Sequence, residues 1–100
     1  MKASLIVAAA LLAVSGSAMA DQALAQKKYC LSCHQVEKKV VGPAFKDVAN
    51  KYKGDAKAAE HLANVIQKGG KGVWGTAPMP PQTSVKPEEA AALAKWVLSL

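Results

Sequence analysis

Two cysteines and a histidine form the segment with the clearest chemical potential in this 100-residue chain. They stand in Cys30-Leu31-Ser32-Cys33-His34, a C-x-x-C-H pattern that is typical of covalent c-type haem attachment. Two thiols about one helical turn apart could add to the vinyl groups on neighbouring pyrroles of a haem. The histidine that follows would then lie beneath the iron. We therefore predict that Cys30 and Cys33 bind one haem c and that His34 is an axial ligand of its iron.

Three other arrangements would also use these cysteines. A thioredoxin-like C-x-x-C belongs in a βαβ unit, and no strand pattern precedes Cys30. A zinc site would add His61 to the thiols and imidazole of the motif, but zinc-finger spacings do not place a histidine directly after the second cysteine. A disulfide between Cys30 and Cys33 would close a loop too short to restrict the unfolded chain, and free thiols in an exported protein tend to be oxidised. Haem attachment is the preferred interpretation.

Haem iron takes an axial ligand on each face, and cytochromes c commonly use methionine as the second one. Met79 is the only methionine outside residues 1–20, and it stands in an Ala-Pro-Met-Pro-Pro run. Because proline restricts the backbone, such a loop could hold a thioether in place. The alternatives are Met79 as core filler and His61 as the ligand, but His61 follows Glu60 on the charged face of a predicted helix. We predict Met79 as the ligand and His61 as a solvated residue.

The first 20 residues have the three parts of a secretory signal. Lys2 precedes an apolar run over residues 5–14, and Ala18-Met19-Ala20 offers a cleavage site before Asp21. The run is shorter than the roughly 20 residues of a membrane-spanning helix. We therefore predict residues 1–20 as a signal peptide and residues 21–100 as the mature domain, exported and without a membrane span after cleavage.

The mature part is small and basic. The chain has 13 lysines, no arginine and 7 acidic residues, and loss of residues 1–20 removes one of those lysines. A domain of this size usually needs an additional stabilising element, such as a disulfide framework, a metal or a buried cofactor. Two closely spaced cysteines exclude a disulfide framework, so we expect the haem to be the element that stabilises the fold.

Hydrophobic periodicity predicts an all-α domain of about four helices that position these groups. The first covers residues 22–28 and leads straight to the first cysteine, the second covers residues 45–52, and the third runs from near Asp55 to Lys68. The fourth begins at Pro87, and its predicted buried stripe is Leu93, Trp96, Val97 and Leu100. The glycine- and proline-rich segment 69–85 is expected to be a functional loop, since long irregular loops in small domains usually are.

Several short segments, in this order, resemble a known family. The segments cover residues 30–34, 41–49, 72–75, 78–81 and 93–97. Together they resemble the class I monohaem cytochromes c of the short bacterial periplasmic type. The resemblance implies a small cytochrome c fold over residues 21–100, wrapped around one covalent haem with His34 and Met79 as axial ligands.

The resemblance also implies roles for residues around the haem. The carbonyl group of Pro43 would accept a hydrogen bond from the ring of His34, which fixes the tautomer of the ligand. Trp74 would donate its indole N–H toward a haem propionate. The chain departs from relatives at Gln82, where asparagine is frequent, and near Val65, where relatives carry an arginine that pairs with a propionate. In this chain the propionate charge must be met by Trp74, lysine, backbone or water.

A six-coordinate haem predicts a one-electron carrier and not an enzyme. We expect a periplasmic monomer whose partners are redox proteins with acidic patches, with nitrite reductase and a terminal oxidase as candidates, and no nucleic-acid partner. The alternative is a haem enzyme or gas sensor with an open sixth position. The carrier hypothesis requires an apolar slot between the motif and Met79, lined by Phe45, Val48, Leu62, Ile66 and Trp74.

Overall fold

The computed structural model describes residues 21–100, so the predicted signal peptide in residues 1–20 lies outside the described part. The described chain is all-α, as predicted. Helix α1 includes residues 21–27, α2 is Phe45–Lys51, α3 is Ala58–Lys68 and α4 is Pro87–Leu98. A 3-10 turn, Cys30–Ser32, follows α1. Residues 21–100 contain no β-strand, only isolated bridges from His34 to Lys39 and from Gly70 to Met79.

Helix α1 does not run straight into the cysteines, contrary to the prediction. It stops at residue 27, and Tyr29 adopts a left-handed conformation with φ 63° and ψ 21°. A left-handed residue just after a helix normally ends it, and glycine or asparagine usually takes this position. The turn at Tyr29 redirects the chain so that Cys30 begins the next turn.

Helix α4 provides much of the core. Its Leu93, Trp96 and Val97 are buried, as the predicted stripe requires. Leu100 is 40% exposed, so its prediction as a core residue was wrong, because α4 ends at Leu98 and the helical face does not continue. The core cluster also contains Ala90 of α4 and residues from α1, α2 and the loop before α4, namely Ala25, Phe45, Val48 and Val85.

Helices α3 and α4 begin with different local devices. The predicted start of α3 near Asp55 is three residues early, because Asp55 belongs to a preceding turn. Its carboxylate accepts a hydrogen bond from the backbone N–H of Lys57 at 2.9 Å. Helix α4 begins at Pro87, as predicted, and the carboxylate of Glu89 accepts from the backbone N–H of Lys86 at 2.9 Å. This second contact is one half of a capping box.

Backbone contacts hold the 69–85 loop in place. The N–H of Gln82 donates to the carbonyl of Ile66 in α3 at 2.9 Å, and Val85 is buried in the core. On the other side, the ammonium of Lys28 donates to the carbonyl of Ser84 at 2.9 Å. Among residues 21–100, every helix is too short or too polar to traverse a bilayer.

Candidate functional site

The side chain of His34 is fixed by two contacts. Its Nδ1 lies 2.8 Å from the carbonyl oxygen of Pro43, the hydrogen bond that the resemblance implied. A carbonyl oxygen only accepts, so Nδ1 carries the proton and Nε2 keeps a free lone pair. The imidazole also stacks on Phe45, with ring centroids 4.9 Å apart and 19° between the planes. Phe45 in turn packs edge-to-face against Trp96, with ring centroids 5.4 Å apart. The core therefore supports the imidazole.

The backbone of Gly42 is close to the His34 ring. A Cβ atom on Gly42 would lie less than 3 Å from Nδ1 and Nε2 of that ring. The N–H groups of Val41 and Gly42 both donate to the carbonyl of Cys33, at 3.2 and 2.8 Å. The segment before Pro43 is thus bonded to the backbone of the motif. At position 42 it leaves space only for glycine.

Cys30 and Cys33 are half-buried free thiols. The N–H groups of Cys33 and His34 both donate to the carbonyl of Cys30, so the motif forms one tight turn. Burial raises the pKa of the Cys30 thiol, and the neighbouring Cys33 adds to the rise. Cysteines of redox C-x-x-C modules instead have lowered pKa values that favour the thiolate. The environment of Cys30 therefore argues against a redox thiol module.

Met79 is held by the backbone of the glycine pair that follows α3. Gly70 donates to the Met79 carbonyl at 3.0 Å, and Met79 donates to the Gly70 carbonyl at 2.7 Å. Gly69, at φ 83°, approaches so closely that a Cβ atom there would lie 2.7 Å from the Met79 carbonyl oxygen. The side-chain amide of Gln82 donates to the carbonyl of Pro80 at 2.9 Å and braces the same loop. Met79 thus stands on a firmly bonded loop and not on a helix face.

A cavity of about 660 Å³ unites these groups. Pockets that hold small ligands or cofactors usually measure roughly 300–1,000 Å³. Its lining includes every residue predicted for the slot, namely Cys30, Cys33, His34, Phe45, Val48, Leu62, Ile66, Trp74 and Met79. No aspartate or glutamate occurs among the described residues of the lining. The cavity has apolar walls, two thiols, an imidazole and a thioether.

His61 differs from the other histidine. It is exposed, as predicted, and lies at the cavity lining with its ring 5.6 Å from the ring of Tyr52. In the described part of the chain, no group of three or more His, Cys, Asp or Glu side chains is placed to share a metal ion. The zinc arrangement that would join His61 to the motif is therefore not formed.

Sequence reasoning did not assign roles to several residues that shape the site. Gly42 makes room for the ring of His34, Gly69 makes room for the Met79 backbone, and Gly70 bonds to that backbone. The sequence contained an indication of both sites, because Gly42 precedes a proline and Gly69 precedes another glycine. Close approach of the backbone is common at glycine. The stacking of Phe45 on His34 had no signal in the sequence, because it depends on how α2 packs.

Comparison with known proteins identifies the family. A model of the family described as Cytochrome c matches residues 18–100. Cytochrome c-552 of Nitrosomonas europaea is 54% identical over 93 residues, which cover 93% of this chain and 90% of that protein. Cytochrome c-552 of Hydrogenobacter thermophilus is 50% identical over 100 residues, covering 100% of this chain and 99% of that protein. The crystal structure of wild-type N. europaea cytochrome c552 has a TM-score of 0.78 and 53% identity, covering 79% of this chain and 98% of that chain.

The residues of the cavity fit a c-type haem. The apolar walls suit a flat macrocycle, the two free thiols line the same cavity, and the hydrogen bond to Pro43 orients the imidazole of His34. The match along the chain confirms the resemblance to small class I monohaem cytochromes c and the all-α fold. The chain belongs to the cytochrome c family, as a small electron carrier and not an enzyme, and its cofactor is a covalently attached c-type haem.

Proposed function

We propose that this protein is a periplasmic one-electron carrier in which Cys30 and Cys33 bind the haem while His34 and Met79 are the axial ligands of its iron. The observation that carries the proposal is the single cavity that His34 and Met79 both line. The haem supplies an iron that cycles between ferric and ferrous states. Methionine ligation raises the reduction potential relative to nitrogen or oxygen ligands.

The residues around the ligands support this ligation. The hydrogen bond from His34 to Pro43 leaves Nε2 free to bind a metal and strengthens the imidazole as a donor. The bridge between Gly70 and Met79 limits the movement of a weak thioether ligand. Trp74 lines the same cavity, and its indole N–H is the proposed donor to a propionate. An open sixth position, as in a haem enzyme or gas sensor, would leave this fixed methionine without a role.

The predicted signal in residues 1–20 supports export to the periplasm. The surface charge supports an acidic redox partner. Residues 21–100 contain two lysine-carboxylate ion pairs, Lys28–Glu89 and Lys46–Glu37, so most of the lysines in this part of the chain are outside ion pairs. A positive surface raises the rate of encounter with a negative one and suits short-lived complexes. Nitrite reductase and a terminal oxidase are candidate partners of this kind.

The ligand assignment is tested with Met79→Ala, and His61→Ala serves as the matched control. Both variants should retain the covalent haem, because attachment needs only the C-x-x-C-H residues. Met79→Ala should lose the methionine–iron charge-transfer band and show a lower reduction potential. His61→Ala should keep the wild-type spectrum and potential.

Three outcomes would contradict the ligand assignment. An unchanged spectrum in Met79→Ala, or loss of the low-spin state in His61→Ala, would make His61 the axial ligand. A high-spin ferric spectrum in the wild-type protein would instead support the open site of an enzyme or gas sensor.

A further inference from the structure

One lysine is placed by two aromatic rings at the edge of the cavity. The ammonium of Lys51, the last residue of α2, lies 5.8 Å from the ring centroid of Tyr52 and 5.7 Å from that of Trp74. Both rings line the cavity. A cation within about 6 Å of an aromatic face is attracted by the ring quadrupole. Tyr52 and Trp74 therefore hold the Lys51 charge beside the cavity.

No protein carboxylate neutralises this charge. Neither of the two ion pairs in residues 21–100 includes Lys51. The described lining of the cavity has no acidic side chain, and its ionisable groups at this end are His61 of α3, which contacts Tyr52, and Lys71 of the following loop. On its own helix, Asp47 lies one turn before Lys51, but the two do not form an ion pair. The charge of Lys51 would therefore stabilise a ligand with a negative edge.

We propose that Lys51 is the counterion of a haem propionate, a role that rests on the haem occupying this cavity. The propionate carboxylates are at the edge of the macrocycle remote from the vinyl groups that join the thiols. A carboxylate at the margin of an apolar cavity is costly unless a charge or hydrogen bond compensates it. The chain has no arginine, so a lysine must supply any fixed positive partner. Lys51 is the lysine that aromatic contacts hold beside the cavity, whereas Lys71 is part of the lining and is the competing candidate.

The pairing has a measurable consequence. A nearby cation lowers the pKa of a carboxylate, and its removal raises that pKa. A propionate that takes up a proton loses negative charge, which favours ferrous over ferric iron. We therefore expect Lys51→Met to become easier to reduce as the pH falls from about 8 to 5. Over this pH range the ratio of reduced to oxidised haem should change about threefold more in Lys51→Met than in wild type. A threefold change corresponds to a propionate pKa that differs by about half a unit between the ferrous and ferric states.

The experiment measures this ratio against a reference couple in the haem-loaded full protein. Lys51→Arg keeps the charge and should restore the wild-type profile. Lys53→Met is the matched control, because Lys53 is an exposed lysine two positions away that has neither aromatic contact. Each variant is repeated with His61→Gln, since histidine is the side chain that changes charge in roughly this pH range.

The two possible failures can be told apart. The proposal is overturned if Lys51→Met follows the profile of wild type or of Lys53→Met, or if Lys71→Met shows the shift in its place. The methionine–iron band is recorded in each variant as an independent check on ligation. Its absence from the wild-type protein would contradict the proposed function, whatever the profile of Lys51→Met.

Discussion

Gly42 lies so close to the imidazole of His34 that a Cβ atom on Gly42 would be 2.8 Å from Nδ1 and 2.9 Å from Nε2. The same imidazole stacks on Phe45 at 4.9 Å and bonds to Pro43 at 2.8 Å. Packing and a hydrogen bond within the protein therefore fix the orientation of the ring. Such pre-organisation is expected of a metal ligand, because the orientation of a histidine is set by the partner of its other nitrogen.

The change Gly42→Ala should displace this ring. Gly42 does not have a positive φ, so alanine is compatible with the backbone and the effect comes from the added methyl group. Overpacking of this kind typically costs about 1–3 kcal/mol. We expect a lower Tm together with a perturbed ferric spectrum, measured by thermal unfolding and absorbance.

Gly54→Ala is the matched control for this substitution, because Gly54 is not among the described lining residues of the cavity. A Cβ atom on Gly54 would meet nothing within 4 Å, but its φ is 81°. Backbone strain should lower the free energy of unfolding by about 1–2 kcal/mol and leave the spectrum unchanged. A Gly42→Ala protein with both the Tm and the spectrum of wild type would contradict the close contact.

Tyr29 is predicted to be a site of stored strain. It is the one residue other than glycine with a positive φ in the described chain, and its side chain is 79% exposed. Asparagine adopts the left-handed conformation more readily, and Tyr29 buries little area against protein atoms although it lines the cavity. Tyr29→Asn should therefore raise the stability of the haem-loaded protein by about 0.5–1 kcal/mol, a gain of a few °C in Tm.

Tyr29→Phe should leave the Tm unchanged, since the strain is retained and only the hydroxyl group is removed. A decrease in Tm for Tyr29→Asn would show that the tyrosine ring makes a stabilising contact that outweighs the strain. In that case the left-handed turn would not be the main energetic feature of this position.

Glu89 should make the stability of α4 depend on pH. The backbone N–H of Lys86 lowers the pKa of Glu89 below its ordinary value of 4.5, and the positive charge of Lys28 contributes. A carboxyl group whose pKa is lower in the folded state stabilises the fold above its ordinary pKa. That stability is lost as the pH falls through the lower, folded value.

Glu89→Gln should therefore have a lower Tm than wild type near neutral pH, and the difference should shrink on acidification below about 4.5. The measurement is thermal unfolding as a function of pH. Glu88→Gln removes the neighbouring charge from the same helical turn and is the control. Equal effects of the two substitutions at all pH values would contradict the specific role of the Lys86–Glu89 contact.

Residue type and local spacing were enough to predict several residues that line the cavity. The C-x-x-C-H run and the proline-flanked Met79 were recognisable because their chemistry is local, and Leu93, Trp96 and Val97 were placed by helical period. The position of Lys51 could not be predicted, because it depends on how the end of α2 approaches the loop that contains Trp74. The exposure of Leu100 was missed because periodicity does not show where a helix stops.

The last prediction concerns the positive surface near the motif. Lys39 forms a β-bridge with His34, so the Lys38–Lys39 pair lies beside the haem-binding segment. Lys57 and Lys95 instead line a groove beside α3 and α4 that includes neither cysteine nor His34 among its described lining residues. If an acidic partner docks near the motif, the bimolecular electron-transfer rate should fall as salt increases, since screening weakens steering. The Lys38→Gln/Lys39→Gln protein should lower that rate at low salt by about tenfold, within the usual range of steering effects. Lys57→Gln/Lys95→Gln changes the net charge equally and should have a smaller effect.

The measurement is stopped-flow oxidation by an acidic redox protein across a salt series. A rate that stays flat or rises with salt, or equal losses in both double variants, would remove steering by the lysines next to the motif and leave the electron-carrier assignment intact.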